Sequence, residues 1–163
     1  MRTSTTRIVL AAGFVGIVAT VAPIVLAQAS NPQIGTWKMN VAKSKVNVGV
    51  MNKSGTTKIE AAGAGVKATV DTVTGDGTTQ HWQFTSNYDG KDSPITGNSP
   101  YGDAIAQTRV DANTIRSVYK KNGKVTVTGT SVVSADGKTR TVTNKGTNAM
   151  GQPVDSVTFY DKQ

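Results

Sequence analysis

The segment TIRSVYKKNGKVTVTGTSVV, residues 114–133, decides the fold class of this chain. Two runs rich in Val, Thr and Ile flank Asn122-Gly123, a pair that accepts the left-handed torsions of a tight hairpin turn. β-Branched side chains are stiff at their first torsion and fit a pleated surface better than a helix. The segment therefore predicts two antiparallel strands, at residues 114–119 and 124–133.

The same pattern extends over the rest of the chain. Three further turn pairs occur, at Asp76-Gly77, Asp89-Gly90 and Asp136-Gly137, and no leucine and only one glutamate follow Leu26. Because good helix formers are scarce, we expect no helix after residue 30. The other predicted strands are 34–40, 57–61, 66–73, 79–88, 91–96, 104–110, 139–145 and 154–160, with Pro94 marking an edge or a bulge.

Short connections between these strands predict an all-β fold. We expect an antiparallel up-and-down meander of about eight to ten strands that closes into a barrel. A β-sandwich is the alternative. Residues 41–56 are expected to form a long loop or an irregular lid, because lysine, asparagine and glycine interrupt any period there.

The first 30 residues have the features of an export signal. Two arginines and no acid precede an apolar run at residues 8–26, and small residues follow at Ala27 and Ala29. We expect cleavage after Ala27, or alternatively after Ala29, which makes residues 1–27 a signal peptide and residues 28–163 a single domain. The apolar run approaches the roughly 20 residues that cross a bilayer, so an uncleaved anchor is the other interpretation.

The mature protein is expected in the periplasm or outside the cell, with no integral membrane segment. The full chain has a formal charge of +8 and no cysteine, so its core must hold without disulfides. Basic residues are spread along the strands, with one cluster at Lys120, Lys121 and Lys124, and aromatic residues are not interleaved with them. We therefore expect no nucleic-acid partner, and the oligomeric state stays open.

Groups for catalysis or metal binding are scarce. His81 is the only histidine, no thiol is present, and no Gly-x-Ser-x-Gly motif marks a nucleophile. One imidazole without thiolates falls short of a zinc ligand set. We expect no catalytic residue, no metal and no cofactor. An esterase- or glycosidase-like activity built from distant residues is the enzymatic alternative.

A cavity inside the barrel is the remaining candidate site. We select Trp82, Phe84 and Tyr119 as ligand-binding residues, with plain core packing as the alternative for each. Arg109 is selected as the partner of an anionic group, although an outward, solvated position is favoured for both Arg109 and Arg116. An arginine inside the barrel requires a partner, and an anionic ligand is one such partner.

The first predicted strand carries Gly35-Thr36-Trp37, which is similar to the opening strand of lipocalins, fatty-acid-binding proteins and avidins. This resemblance implies that Gly35 allows close approach at the closed end of a barrel and that Trp37 plugs its base. In the segments 35–45, 88–94 and 146–151, the chain also resembles a family of small exported bacterial lipocalin-like proteins. That resemblance implies a fold and export but no substrate.

Together, these features predict an exported binding or carrier protein. Its barrel cavity would take a small, partly apolar molecule, with an anionic group as one option. The alternative is an envelope-associated structural or protein-interaction module without a small ligand. The final predicted strand lacks the Arg-x-Tyr with which fatty-acid-binding proteins hold a carboxylate, so their mode of recognition does not carry over.

Overall fold

The computed structural model describes residues 31–163, so the predicted signal peptide and its cleavage site lie outside the described residues. All regular structure in residues 31–163 is β-strand, arranged in one antiparallel sheet. The eleven strands are β1 (Gly35–Val48), β2 (Asn52–Ala62), β3 (Gly65–Thr74), β4 (Thr79–Ser86), β5 (Asp89–Pro94), β6 (Thr96–Gly97), β7 (Ala104–Arg109), β8 (Thr114–Lys121), β9 (Lys124–Val133), β10 (Thr139–Thr147) and β11 (Pro153–Lys162).

Chain order and sheet order nearly coincide. Strands β7 to β11 pair in sequence, β11 pairs with β1, and β1 to β4 continue the sheet. One short segment bridges the two remaining edges, because β5 pairs with β7 while β6 pairs with β4. The predicted up-and-down meander is confirmed as a nearly closed barrel, and the sheet does not divide into a sandwich.

The predicted strand at 91–96 is the source of the additional strand. The buried Ile95 interrupts it, and the Ile95 amide donates to the Asp103 carbonyl oxygen at 2.8 Å instead of to a neighbouring strand. Pro94 ends β5 at a sheet edge, as predicted, where its missing N–H removes no ladder hydrogen bond. The two halves of the segment can therefore pair with different partners.

The prediction of a loop or lid at residues 41–56 is wrong. Most of these residues are strand, because β1 continues to Val48 and β2 begins at Asn52. The extended part of β1 pairs with β11 and that of β2 pairs with β3, whereas β1 and β2 pair with each other only at residues 35–38 and 56–59. Gly49, with φ +112°, stands at the turn. The lysines and asparagines that suggested a loop lie mainly on the solvent side of the two strands, where a sheet accepts polar residues.

A β-bulge explains why the alternation of apolar and polar residues is lost in this region. The pairing of β1 with β11 shifts register between Asn40 and Lys45. Ser44 is buried there, and its hydroxyl accepts a hydrogen bond from the Phe159 amide at 3.0 Å and donates one to the Asn40 carbonyl oxygen at 2.7 Å. Extra residues in one strand reset which side chains face inward, so a period-two pattern cannot continue across them.

Three of the four predicted turn pairs connect adjacent paired strands. Their glycines have positive φ, at Gly77 (91°), Gly123 (75°) and Gly137 (70°). The prediction for Asp89-Gly90 is wrong, because these residues begin β5 at a point where its register with β7 shifts. The chain reverses just before them, with Tyr88 at φ 60°.

The two ends of the barrel differ in how they are sealed. At one end, the side chains of Gln33 and Trp37 are fully buried, and Trp37 Nε1 donates to the Gln33 carbonyl oxygen at 2.8 Å. Lys162 Nζ lies 5.0 Å from the centroid of the Trp37 ring, and a Cβ at Gly35 would collide with the Lys162 side chain. We call this the closed end. The connections β1–β2, β3–β4, β6–β7, β8–β9 and β10–β11 lie at the opposite end, the mouth end.

Candidate functional site

The barrel encloses a cavity of about 90 Å³. A single buried water needs roughly 10 to 15 Å³ on the same scale, so the cavity holds several waters or one small molecule. Residues of β2 to β4 line one side, and residues of β7 to β11 line the other. Pro100 and Tyr101, from the connection between β6 and β7, line it from the mouth end.

The side formed by β2 to β4 is largely apolar. Trp82 and Phe84 stack with 5.8 Å between their ring centroids, and their register partners on β3 are Val70 and Ala68. Such a surface offers hydrophobic and dispersion contacts to a ligand but no charge and few hydrogen bonds. We call this surface the apolar wall: Ile59, Val66, Ala68, Val70, Trp82 and Phe84.

Tyrosines cover the cavity toward the mouth end. Tyr101 and Tyr119 lie 4.9 Å apart between ring centroids, and Trp82 meets both rings edge-on at 6.5 and 6.1 Å. Two hydrogen bonds anchor the connection that carries Tyr101. The Tyr101 carbonyl oxygen accepts from Thr126 Oγ1 at 2.5 Å, and the Pro100 carbonyl oxygen accepts from the Ala149 amide at 2.9 Å.

The side formed by β7 to β11 carries most of the polar groups. Ser117 Oγ accepts a hydrogen bond from Gln107 Nε2 at 3.0 Å, and both side chains are buried. Asn144 Oδ1 is buried against Gly129 and has no hydrogen-bond partner among residues 31–163, at a position where a Cβ on residue 129 would collide with it. We call this surface the polar wall: Gln107, Ser117, Tyr119, Ser131, Arg140, Asn144 and Tyr160.

Arg140 is held at the cavity by a chain of hydrogen bonds that starts at the closed end. Gln33 Nε2 donates to the Asn113 carbonyl oxygen at 2.8 Å, and Gln33 Oε1 accepts from Ser131 Oγ at 3.1 Å. Ser131 Oγ in turn accepts from Arg140 Nε at 2.7 Å. Because Nε is the atom fixed by this chain, the guanidinium is oriented while its two terminal nitrogens stay available.

The charge of Arg140 has no carboxylate partner within residues 31–163. The guanidinium carbon lies 5.7 Å from the centroid of the Tyr160 ring, at a distance that allows a cation–π contact. Burial lowers the pKa of Arg140 from its usual value, and the coulombic influence of Tyr160 and Tyr119 partly offsets that effect. Arginine keeps its proton in proteins, so a cation lines this cavity at neutral pH.

The tyrosines stay neutral beside this cation. Burial raises the pKa of Tyr101 to about 12, and it also raises the pKa of Tyr119 and of Tyr160. For Tyr160, the Arg140 charge acts in the opposite direction. The hydroxyl groups are therefore hydrogen-bond donors at neutral pH and add no negative charge that would satisfy the arginine.

Three of the four residues selected from the sequence as ligand-binding meet in this cavity. Trp82, Phe84 and Tyr119 all line it. Arg109 does not: its side chain is exposed at the end of β7, where its guanidinium carbon lies 4.6 Å from the centroid of the Tyr88 ring. Arg116 is also exposed, on the outer face of β8.

Arg140 is the functional candidate that sequence reasoning missed. The signal was available in the hairpin of β9 and β10, because a turn at residues 136–137 places Arg140 opposite Val133. Directly paired residues of an antiparallel sheet share one face, and Val133 belongs to a series with Val127 and Ser131. Tyr101 had no such signal, because a connection rather than a strand brings it to the cavity.

The other chemistry-bearing residues lie on the outside. His81 is exposed on β4, and its Nδ1 lies 2.6 Å from Asp71 Oδ1. In the lysine cluster, Lys120 pairs with Asp92 at 2.7 Å and Lys121 pairs with Asp103 at 3.4 Å, so much of its charge is compensated locally. Across the described residues, no group of three or more His, Cys, Asp or Glu side chains is arranged to hold a metal ion.

Comparisons with protein-family models and with curated proteins assign no function to this chain. No protein-family model matches the chain, and no curated protein matches its sequence significantly. Within the part of the chain that the structure describes, no helix has the length and apolar character needed to span a membrane. The cavity and its charged residue are therefore the basis for the functional conclusion.

Proposed function

We propose that this protein is an exported, lipocalin-like carrier whose cavity binds a small, partly apolar anion. The observation that carries the proposal is Arg140, a half-buried cation that lines the same cavity as the apolar wall and has no carboxylate partner among residues 31–163. The arginine-rich start and apolar run of residues 1–26 support export. The single, nearly closed sheet and the buried Trp37 at its base support the lipocalin-like assignment.

The energetics of the cavity favour an anionic group on Arg140. An unpaired guanidinium loses hydration when it is buried, and a carboxylate restores both the charge partner and the hydrogen bonds. A hydrogen bond to a charged group contributes about 1.5–3 kcal/mol. Since Ser131 already fixes Nε, little further ordering of the side chain is required when an anion binds.

The apolar wall determines the rest of the ligand. An apolar group placed against Trp82 and Phe84 gains about 25 cal/mol for each Å² removed from water. With a volume of about 90 Å³, the cavity fits one ring or a short chain and not a long lipid. The expected ligand is therefore a compact amphipathic acid, with its anionic group near β10 and its apolar part toward β4.

The test compares two probes that differ mainly in charge, 3-phenylpropanoate and 3-phenylpropan-1-ol. Titration of the exported protein, followed by calorimetry and tryptophan fluorescence, is expected to show tighter binding of the acid. Arg140→Met should weaken binding of the acid by roughly tenfold or more, the loss of one charge-assisted interaction, and should leave the alcohol nearly unchanged.

Two exposed arginines provide matched controls. Arg116→Met, on the outer face, should leave both affinities unchanged, and Arg109→Met tests the residue that the sequence had indicated. A loss of acid binding in Arg109→Met but not in Arg140→Met would contradict the proposal, as would equal binding of acid and alcohol by the unmodified protein. Native mass spectrometry of protein taken from its host's envelope would then identify the natural ligand.

A further inference from the structure

Exposed apolar side chains are concentrated at the mouth end of the barrel. The described residues include eight large hydrophobic side chains that are exposed, and five of them lie at this end. Met150 is 68% exposed, and Val50 and Val125 are each 60% exposed. We call the five the mouth rim: Val48, Val50, Met51, Val125 and Met150.

Most of the mouth rim lies on neighbouring connections. Met51 and Val50 lie beside Gly75 of the β3–β4 turn, and Gly49 approaches the Pro153 carbonyl oxygen at the start of β11. The connection that carries Met150 is joined to the cavity-covering segment by the hydrogen bond from Ala149 to Pro100. The rim therefore surrounds the same end at which Asn52, Gln80 and Tyr101 line the cavity.

Lysines stand beside these apolar residues. Four exposed lysines near the mouth end make no ion pair within residues 31–163: Lys45, Lys53, Lys124 and Lys145. Two nearby acids also make no ion pair within residues 31–163: Asp76 accepts hydrogen bonds from the Thr74 hydroxyl and the Thr78 amide, and Asp155 accepts one from Asn47. Asp103 is the partner of Lys121. Four unpaired lysines stand against the two unpaired acids Asp76 and Asp155, so these groups leave a net positive charge at this end.

We propose that the mouth rim docks on an anionic lipid bilayer. Clustered exposed apolar side chains mark an interaction surface, and apolar residues mixed with lysines match the boundary between acyl chains and anionic headgroups. Each lysine near such a surface contributes about 1 kcal/mol. Val50 and Met150 enter the boundary, while the four unpaired lysines contact headgroups.

Docking in this orientation places the tyrosine-covered end of the cavity against the bilayer. An amphipathic acid then passes between the lipid and the barrel without crossing bulk water, a consequence that rests on the proposed function. The docking itself does not, because it requires only the mouth rim and its lysines.

The test measures sedimentation of the exported protein with large vesicles. One preparation contains phosphatidylcholine alone, and the other contains phosphatidylcholine and phosphatidylglycerol in equal parts. We expect clear binding to the anionic vesicles only. Val50→Asp combined with Met150→Asp should lower this binding by about tenfold or more, which corresponds to about 1.4 kcal/mol.

The closed end supplies a matched control. Val110 is 61% exposed and lies on the β7–β8 connection, so Val110→Asp adds an acid to an equally exposed valine away from the rim. It should leave vesicle binding unchanged. In the same way, Lys53→Glu with Lys145→Glu should abolish binding, whereas Lys138→Glu, on the β9–β10 turn, should change it little.

Three outcomes would overturn the docking proposal. These are equal binding to neutral and anionic vesicles, equal losses in Val110→Asp and the rim variant, and displacement by inorganic phosphate at constant ionic strength, which would indicate a simple anion site. All these side chains are exposed, so the variants should keep the unmodified melting temperature. They should also keep their affinity for 3-phenylpropanoate, which separates a failure of docking from a failure of the cavity proposal.

Discussion

The apolar wall and the polar wall face each other across one cavity, yet they are built from similar strands. On both sides, β-branched and small residues alternate with exposed polar ones. In β3 and β4 the inward positions are mainly Val, Ala, Trp and Phe, whereas in β8 to β10 they include Ser117, Ser131, Arg140 and Asn144. The comparison shows that β-strand propensity is enough to form both walls of the barrel. A few inward polar and charged residues on one side give the cavity its hydrogen-bonding groups and its positive charge.

Burying polar side chains in a wall of the cavity lowers the stability of the fold unless each polar group is hydrogen-bonded. Every buried polar group must find a hydrogen bond, and a buried charge needs more than that. On the apolar wall, stability comes from burial alone. The free energy of unfolding should therefore fall most when a side chain of the apolar wall is truncated, and less when a polar-wall side chain is made apolar.

The largest effect is expected on the apolar wall. Trp82→Ala removes a ring that is 5% exposed and contacts Phe84, Tyr101 and Tyr119, so the free energy of unfolding should fall by about 3–5 kcal/mol. Urea denaturation followed by circular dichroism measures this change. Trp82→Phe, which keeps an aromatic ring, should cost clearly less. A loss below about 1 kcal/mol for Trp82→Ala would contradict the description of this side as a packed wall.

An intermediate effect is expected where two polar side chains satisfy each other. Gln107→Leu leaves the buried Ser117 hydroxyl without its donor and should cost about 1–3 kcal/mol. Adding Ser117→Ala removes both partners and should recover most of that loss. A double-mutant cycle by chemical denaturation measures the coupling. Additive single effects would show that the two side chains act independently, against the hydrogen bond described here.

Arg140→Met should change stability little, although it replaces an interior residue. The guanidinium loses hydration on folding and gains no carboxylate within the described residues, so an apolar side chain of similar length should leave the free energy of unfolding within about 1 kcal/mol. This result, together with the expected loss of acid binding, would show that Arg140 is retained for a ligand. A loss as large as that of Trp82→Ala would instead assign the residue a structural role.

The smallest expected effect on stability at neutral pH comes from ionisation of the tyrosines. The pKa values of all four, Tyr88, Tyr101, Tyr119 and Tyr160, are raised, in each case chiefly by burial. A raised pKa in the folded state means that this contribution to stability is fully present below the unfolded value of about 10 and is lost as the pH rises toward 12. Absorbance titration should show little tyrosinate at pH 10, and ionisation should coincide with unfolding.

A matching titration in denaturant is the reference for this measurement. There, all four tyrosines should ionise near pH 10, because unfolding removes the burial that raises their pKa values. If the folded protein gave the same curve, the rings would be in contact with water, and the closed, tyrosine-covered cavity would be wrong.

Local chemistry was sufficient for much of the fold. The turns at residues 76–77, 122–123 and 136–137 follow from the torsions that Asp-Gly and Asn-Gly accept, and β-branched runs between them give the strands. The inward positions of Trp82 and Phe84 follow from alternation once one side of the strand is known to be apolar. These features depend on neighbours a few residues apart, which is why the sequence displays them.

Long-range pairing explains what local chemistry missed. The bulge at Ser44 depends on a hydrogen bond from Phe159, more than a hundred residues away, and the division of the segment at Ile95 depends on β4 and β7 lying on either side of it. Arg109 and Arg140 are alike as isolated strand arginines. Only their positions along the barrel separate them, one at an exposed strand end and the other beside the cavity.

By itself, the sequence determined an all-β antiparallel fold without thiol chemistry, because residue type and turn torsions are local properties. The pairing of β11 with β1 then decided for one barrel sheet over a sandwich. It also determined a positive charge excess and the apolar N-terminal run on which the export prediction rests. Only the tertiary structure decided that Arg140 is the interior arginine, that polar and apolar walls oppose each other, and that exposed apolar residues gather at the mouth. Each of these depends on strand register around a closed sheet, and register brings together residues that no local pattern relates.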